Sequence, residues 1–165
     1  SNLFFDVHLM VSNPFDMLPA FIDAGADAIS FHIETTEPRF TFPPKIIINT
    51  IKKNNLRCGI AIKPSTPFKV IEKYLSFIDY IVIMSVEPGF GGQSFIPSTL
   101  EKISSIDKIL KDKKIRDKIA IQIDGGIKLH NAKDVIDSGA DILVVGSEVF
   151  KSENPIETIN EMYNL

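Results

Sequence analysis

Apolar runs too continuous for a one-sided sheet recur six times along this chain, at 3–11, 28–33, 58–62, 80–84, 118–123 and 142–145. A strand with one face in water alternates apolar and polar residues. A strand buried on both faces does not, and such strands mark a parallel sheet covered by helices. The segments between the runs have helical spacing, so strand and helix alternate along the chain. A doubly wound open sheet and a closed barrel both satisfy that alternation.

The helical segments carry recognisable punctuation. Asn13-Pro14 reads as an N-cap followed by proline at the first helical position. Phe15, Leu18, Phe21 and Ile22 then form an apolar face, Pro19 is expected to bend or weaken the helix, and Gly25 ends it. A polar loop after Glu34 leads to Pro43-Pro44 and a helix with Ile46, Ile47, Thr50 and Ile51 inward. Thr66-Pro67 is expected to cap a short helix over Val70, Ile71 and Tyr74. Further helices are expected over about 97–110 and 129–136, and Asn154-Pro155 with Glu157 opens a closing one. Asp23-Ala24-Gly25-Ala26-Asp27 and Asp137-Ser138-Gly139-Ala140-Asp141 echo each other, each ending a helix and leading into a strand.

The unusual residues favour the barrel. His8, Glu34, Lys63, Gly91-Gly92, Asp124 and Gly146-Ser147 all fall at or just beyond the carboxyl ends of strands. In a (β/α)8 barrel these ends converge on one face, and the loops after the last two strands often hold phosphate. In a doubly wound sheet only the ends near the switch point share a site. Six strands are visible, and two more units would need roughly 50–60 further residues. The focal stretch is Ile121–Ile127, where an apolar strand ends in Asp124-Gly125-Gly126. It leaves a charge at the sheet edge with bare backbone behind it. Taken alone, Asp124 suits a turn cap equally well, and His8, flanked by Val7 and Leu9, suits a satisfied core histidine better than a ligand.

Composition excludes several function classes. The chain has 165 residues and 44% hydrophobic content, enough for one soluble domain spanning 1–165. A net charge of −3 without a basic cluster argues against nucleic acid. No run approaches the roughly 18 apolar residues that span a membrane, and the start does not resemble a signal peptide. Cys58 is the only cysteine, which excludes a disulfide framework and points to a reducing, cytoplasmic setting. There is no initial methionine, and the chain enters a strand almost at once, so a fragment is expected.

Asp6-Val7-His8-Leu9-Met10-Val11-Ser12-Asn13-Pro14, Val86-Glu87-Pro88-Gly89-Phe90-Gly91-Gly92-Gln93, Ile123-Asp124-Gly125-Gly126-Ile127 and Gly146-Ser147 together resemble the signatures of the ribulose-phosphate 3-epimerase family. They occur in the family's order and cover the whole chain. The resemblance implies a TIM (β/α)8 barrel of which strands equivalent to 3–8 are present. Two earlier strands, with further active-site residues, have no counterpart here. It implies interconversion of D-ribulose 5-phosphate and D-xylulose 5-phosphate in the pentose phosphate pathway. Epimerisation beside a ketone needs a base on one face, an acid on the other, and stabilisation of the enediolate between them. On the family pattern Asp124 is one of two acid/base carboxylates and also a metal ligand. His8 is a second ligand of one divalent metal ion: zinc, iron, manganese or cobalt.

The resemblance further implies that Gly91, Gly92, Gly125, Gly126, Gly146 and Ser147 bind the substrate's phosphate, and that Met10 and Met84 line the pocket. His32 and Glu34 stand near the site, and His130 is expected in solvent. The partner is a small sugar phosphate. This chain alone is expected to bind phosphate weakly and to turn over little, since the second aspartate lies outside it. Open edges on the first and last strands favour a homo-oligomer. The rivals are an epimerase of another ketose phosphate such as allulose 6-phosphate, a non-catalytic sugar-phosphate-binding protein, and an aldolase using Lys63.

Overall fold

The computed structural model describes residues 2–36 and 42–165, so most of the polar loop expected before Pro43 lies outside the described residues. Six strands alternate with helices as the apolar runs require. They are β1 (Asp6–Leu9), α1 (Pro14–Asp23), β2 (Ala28–His32), α2 (Pro44–Lys53), β3 (Arg57–Ile62), β4 (Tyr80–Met84), α3 (Thr99–Asp112), β5 (Ala120–Asp124), α4 (Leu129–Asp137), β6 (Ile142–Val144), α5 (Ser147–Phe150) and α6 (Pro155–Tyr163). The strand order is the chain order, with β1 and β6 at its ends. β1 runs parallel to β2 with His8 opposite Ser30, β2 parallel to β3, and β5 parallel to β6 with Asp124 opposite Val144. No helix among the described residues is long and apolar enough to cross a membrane.

The chain forms two compact units, and β4 passes from one to the other. The first comprises Ser1–Ile62 and Thr66–Val82. Its core is β2, buried along its whole length, with Leu18 of α1, Ile47, Ile48 and Ile51 of α2, and Ile60, Ala61 and Ile62 of β3. Each fully buried large aliphatic side chain contributes about 1.5–3 kcal/mol. The second unit comprises Lys63–Ser65 and Ile83–Leu165. There Ile83, Ile121 and Ile123 of the strands, Ile103, Ile106 and Leu110 of α3 and Ala132 and Val135 of α4 are all buried.

Several expectations needed correction. β1 is shorter than its apolar run, and Phe4 and Phe5 are exposed rather than buried. α2 turns Ile48 inward and Ile46 outward, because three consecutive isoleucines fit more than one helical face. Residues 68–77 form two 3-10 turns, Phe68–Val70 and Glu72–Phe77, with Val70 exposed, and the Thr66 hydroxyl bonds Glu34 instead of capping a helix. Pro19 is accommodated within α1, where it is exposed.

Three aspartates hold neighbouring strands in register by the same pair of bonds. Asp27 N–H donates to the Phe5 carbonyl at 2.9 Å, and Phe5 N–H donates to the Asp27 carboxylate at 2.8 Å. Asp79 and Cys58 exchange the same bonds at 2.8 and 2.7 Å, as do Asp141 and Ile121 at 2.8 and 2.7 Å. Each aspartate immediately precedes a strand and grips the strand before it. Lys52 donates to both Asp79 oxygens, and Arg116 donates to Asp141 at 2.9 Å.

Arg116 is the busiest of these partners. Its guanidinium also donates to Asp107 at 2.6 Å, to the Gly139 carbonyl at 2.9 Å and to the Ile119 carbonyl at 3.2 Å. Burial works against ionisation of Asp107, but hydrogen bonds from Lys111 and Arg116 outweigh it and hold its pKa below the ordinary value. Replacing Arg116 by methionine should cost about 2–3 kcal/mol at neutral pH, measured as a urea midpoint. A carboxylate depressed in the fold stabilises above its unfolded pKa, and that stability is lost as pH falls through the folded value. The loss below the ordinary 3.8 should be shallower in the variant, and an unchanged acid profile would count against the pairing.

Cys58 is fully buried at the start of β3. Burial, reinforced by the charge of Asp79, pushes its thiol up from 9.0 to about 12. Only the thiolate attacks a disulfide reagent. Labelling of the native protein at pH 8 should therefore be slow and should become complete on unfolding. The neutral thiol favours the fold below 9.0, and that contribution disappears as pH rises toward 12.

Candidate active site

In the second unit, Asp124 is the last residue of β5 and is half-buried. Its carbonyl accepts Ser85 N–H at 2.9 Å and Ser85 Oγ–H at 3.1 Å, and Ser85 Oγ also lies 2.5 Å from the Gly125 carbonyl. The residue after β4 therefore ties down the end of β5 through backbone, independently of the Asp124 carboxylate. Ser85 carries no motif signal. It could have been suspected only as the polar residue between Met84 and Val86, in an otherwise buried stretch.

The glycines expected to cradle phosphate divide into two kinds. Gly125 has φ +124° and Gly126 φ +64°. A Cβ on Gly125 would stand 2.5 Å from Val86 Cγ2, and one on Gly126 would meet Phe95 N, with Phe95 Cα at 2.8 Å and Gln93 O at 3.0 Å. Positive φ favours glycine at both, and close packing reinforces it, by the Val86 side chain on Gly125 and by the backbone of Phe95 and Gln93 on Gly126. Gly91, Gly92 and Gly146 face open space instead. The 87–93 loop is stapled by Gln93, whose amide donates to the carbonyls of Glu87 at 2.7 Å and Phe90 at 2.8 Å. Gly146 caps the four-residue α5, where its carbonyl accepts Val149 N–H and Phe150 N–H, and Ser147 is the helix's first residue. Met84 ends β4 fully buried.

The first unit holds the remaining candidates. His8, on β1, is half-buried, and Met10 just beyond it is exposed. Across the β1–β2 pairing, His8 Nε2 lies 3.0 Å from His32 Nε2. His32, only 3% exposed, has its Nδ1 3.2 Å from Glu34 Oε2, and the Thr66 hydroxyl donates to Glu34 Oε1. His130 is exposed at the start of α4. Lys63 contributes its carbonyl to the amine of Lys102 at 2.8 Å.

Imidazole and carboxylate are donors that zinc, iron, manganese and cobalt accept; the first unit carries one such candidate in His8 and the second one in Asp124. Among the described residues, no group of three or more His, Cys, Asp or Glu side chains forms a set able to hold a metal.

A family model described as the ribulose-phosphate 3 epimerase family matches residues 1–150. The chain belongs to this family. Ribulose-phosphate 3-epimerase of Chlamydia pneumoniae is 39% identical over 154 residues, covering 93% of this chain and 65% of the relative. The Buchnera aphidicola enzyme of the same name is 42% identical, covering 90% and 62%, and that of Bacillus subtilis 38%, covering 95% and 70%. The chain thus spans less than two thirds of the length of the first two relatives. Among solved structures, KGPDC from Streptococcus mutans superposes with a TM-score of 0.67 at 12% identity, over 99% of this chain and 71% of that one. 3-Hexulose-6-phosphate synthase from Salmonella typhimurium gives 0.61 at 18%, over 94% and 68%. These likenesses show the fold, an α/β chain of the TIM-barrel type carrying six of its parallel strands.

Proposed function

We propose that the protein carrying this chain is a ribulose-phosphate 3-epimerase that interconverts D-ribulose 5-phosphate and D-xylulose 5-phosphate. The observation that carries the proposal is Asp124 at the end of β5, followed by two glycines at positive φ, in a chain of this family. The proton at C3 of the substrate is acidified by the neighbouring ketone. A carboxylate at a strand end can take that proton or return one, depending on the face it meets. The enediolate between the two steps carries charge on oxygen, which positioned donors stabilise. Backbone N–H groups around Gly91, Gly92, Gly125, Gly126, Gly146 and Ser147 would hold the phosphate. Met10 and Met84 would limit water around the reacting carbon.

In this reading His8 and Asp124 hold one divalent ion, which when bound supplies Lewis-acid stabilisation of oxygen charge. The family membership supports a small sugar phosphate as the substrate, and a cytoplasmic homo-oligomer within the pentose phosphate pathway is part of the same proposal.

The test is solvent hydrogen exchange at C3 of D-ribulose 5-phosphate in heavy water, followed together with xylulose 5-phosphate formation. Deuterium at C3 in both sugars supports the reading. Binding without exchange would favour a non-catalytic sugar-phosphate protein and overturn it. Faster exchange with allulose 6-phosphate would move the assignment to another ketose phosphate. Borohydride trapping should label nothing at Lys63.

A further inference from the structure

We infer that Glu34, acting through His32, is a positioning residue that fixes the tautomer of His8. All the groups involved lie in the first unit. An ionised carboxylate only accepts hydrogen bonds, so the 3.2 Å contact with Glu34 Oε2 places a proton on His32 Nδ1. The Thr66 hydroxyl, donating to the other Glu34 oxygen, holds the carboxylate in place. A neutral imidazole protonated at Nδ1 carries its lone pair at Nε2. His32 Nε2 is therefore the acceptor in the 3.0 Å contact with His8, and His8 Nε2 carries the proton. The two rings lie 20° from parallel with centroids 5.0 Å apart, and the Nε2 atoms are their hydrogen-bonding contact.

The chain of bonds runs Thr66, Glu34, His32, His8, and it ends by making Nδ1 the lone-pair nitrogen of His8. A histidine that must present one particular nitrogen to a ligand commonly has its other nitrogen oriented in this way. The sequence places the partners 24, 2 and 32 residues apart, so the parallel β1–β2 register and the turn after β2 assemble the relay. His32, buried to 3%, has too little contact with solvent to touch substrate freely, which suits a residue that acts through His8.

The metal role of His8 rests on the functional reading above, but its tautomer does not, and the experiment separates the two. Imidazole nitrogen NMR of the protein labelled with nitrogen-15 in histidine reports which ring nitrogen bears the proton. The expected spectrum has His32 protonated at Nδ1 and His8 at Nε2. Glu34→Gln retains an acceptor oxygen and should keep that pattern. Glu34→Met should leave His8 as a mixture of tautomers, with melting used to show that the fold persists. A His8 ring protonated at Nδ1 in the parent protein, or a pattern unchanged in Glu34→Met, overturns the proposal. Titration with zinc then tests the other level: Glu34→Met should weaken its binding about 10–100-fold. Zinc that leaves the His8 resonances unmoved would overturn the metal reading while the relay stands.

Discussion

On the proposed function, Asp124→Asn in the protein carrying this chain should lower epimerase turnover about 10²–10⁴-fold, the usual contribution of one positioned proton-transfer group. Asparagine keeps the size of the side chain and removes its ability to accept a proton. The bonds from Ser85 to the carbonyls of Asp124 and Gly125, which hold the β5 end, are left in place by the substitution. The two readouts are kcat for D-ribulose 5-phosphate and the melting temperature. A large fall in kcat with a melting point within a few degrees of the parent is the expected result. A variant retaining a tenth or more of the parent's kcat would remove Asp124 from the chemistry. A collapse of stability would make it a structural residue instead.

The second large effect is expected at Gly126→Ala. At φ +64° any residue with a Cβ is strained by about 1–2 kcal/mol. The added methyl also meets backbone, Phe95 Cα at 2.8 Å and Gln93 O at 3.0 Å, which cannot rotate away as a side chain could. Overpacking of this kind adds about 1–3 kcal/mol, so the total loss should reach about 2–5 kcal/mol. Gly92→Ala is the internal comparison. It shares a positive φ, +77°, but its Cβ would enter open space, so only the strain should appear. Urea midpoints of the two variants test this directly, and equal destabilisation would sink the packing argument. Because Gln93 also staples the 87–93 loop, the Gly126 variant should bind inorganic phosphate more weakly as well.

β2 and β4 were legible because burial on both faces writes an uninterrupted apolar run, Ala28–His32 and Tyr80–Met84; β1 and β6 have equally apolar runs but are partly exposed. The helices were legible through their breaks, and Asn154 does accept Glu157 N–H as its position before Pro155 suggests. The inward face of α2 was not, because Ile46, Ile47 and Ile48 are equally apolar and only packing selects among them. Asp124 and the glycines stood out as strand-end chemistry. The partnership of His8 with His32 did not, since it depends on the register that sets His8 opposite Ser30 and brings His32, two residues on, to the same face. Two histidines on successive strands were the available signal, but the register that joins them is a tertiary fact.

The aspartate clamps have a kinetic consequence. They link residues 22, 21 and 20 positions apart, and closing a loop of that size costs little more than closing a much shorter one. Each βαβ segment can therefore set its own register early, before distant parts of the chain have met, which lowers the entropic barrier that slows parallel sheets. The clamps lie at the amino ends of the strands, whereas Asp124 and its glycines lie at a carboxyl end. Sequence change at the carboxyl ends can thus proceed without disturbing these amino-end contacts.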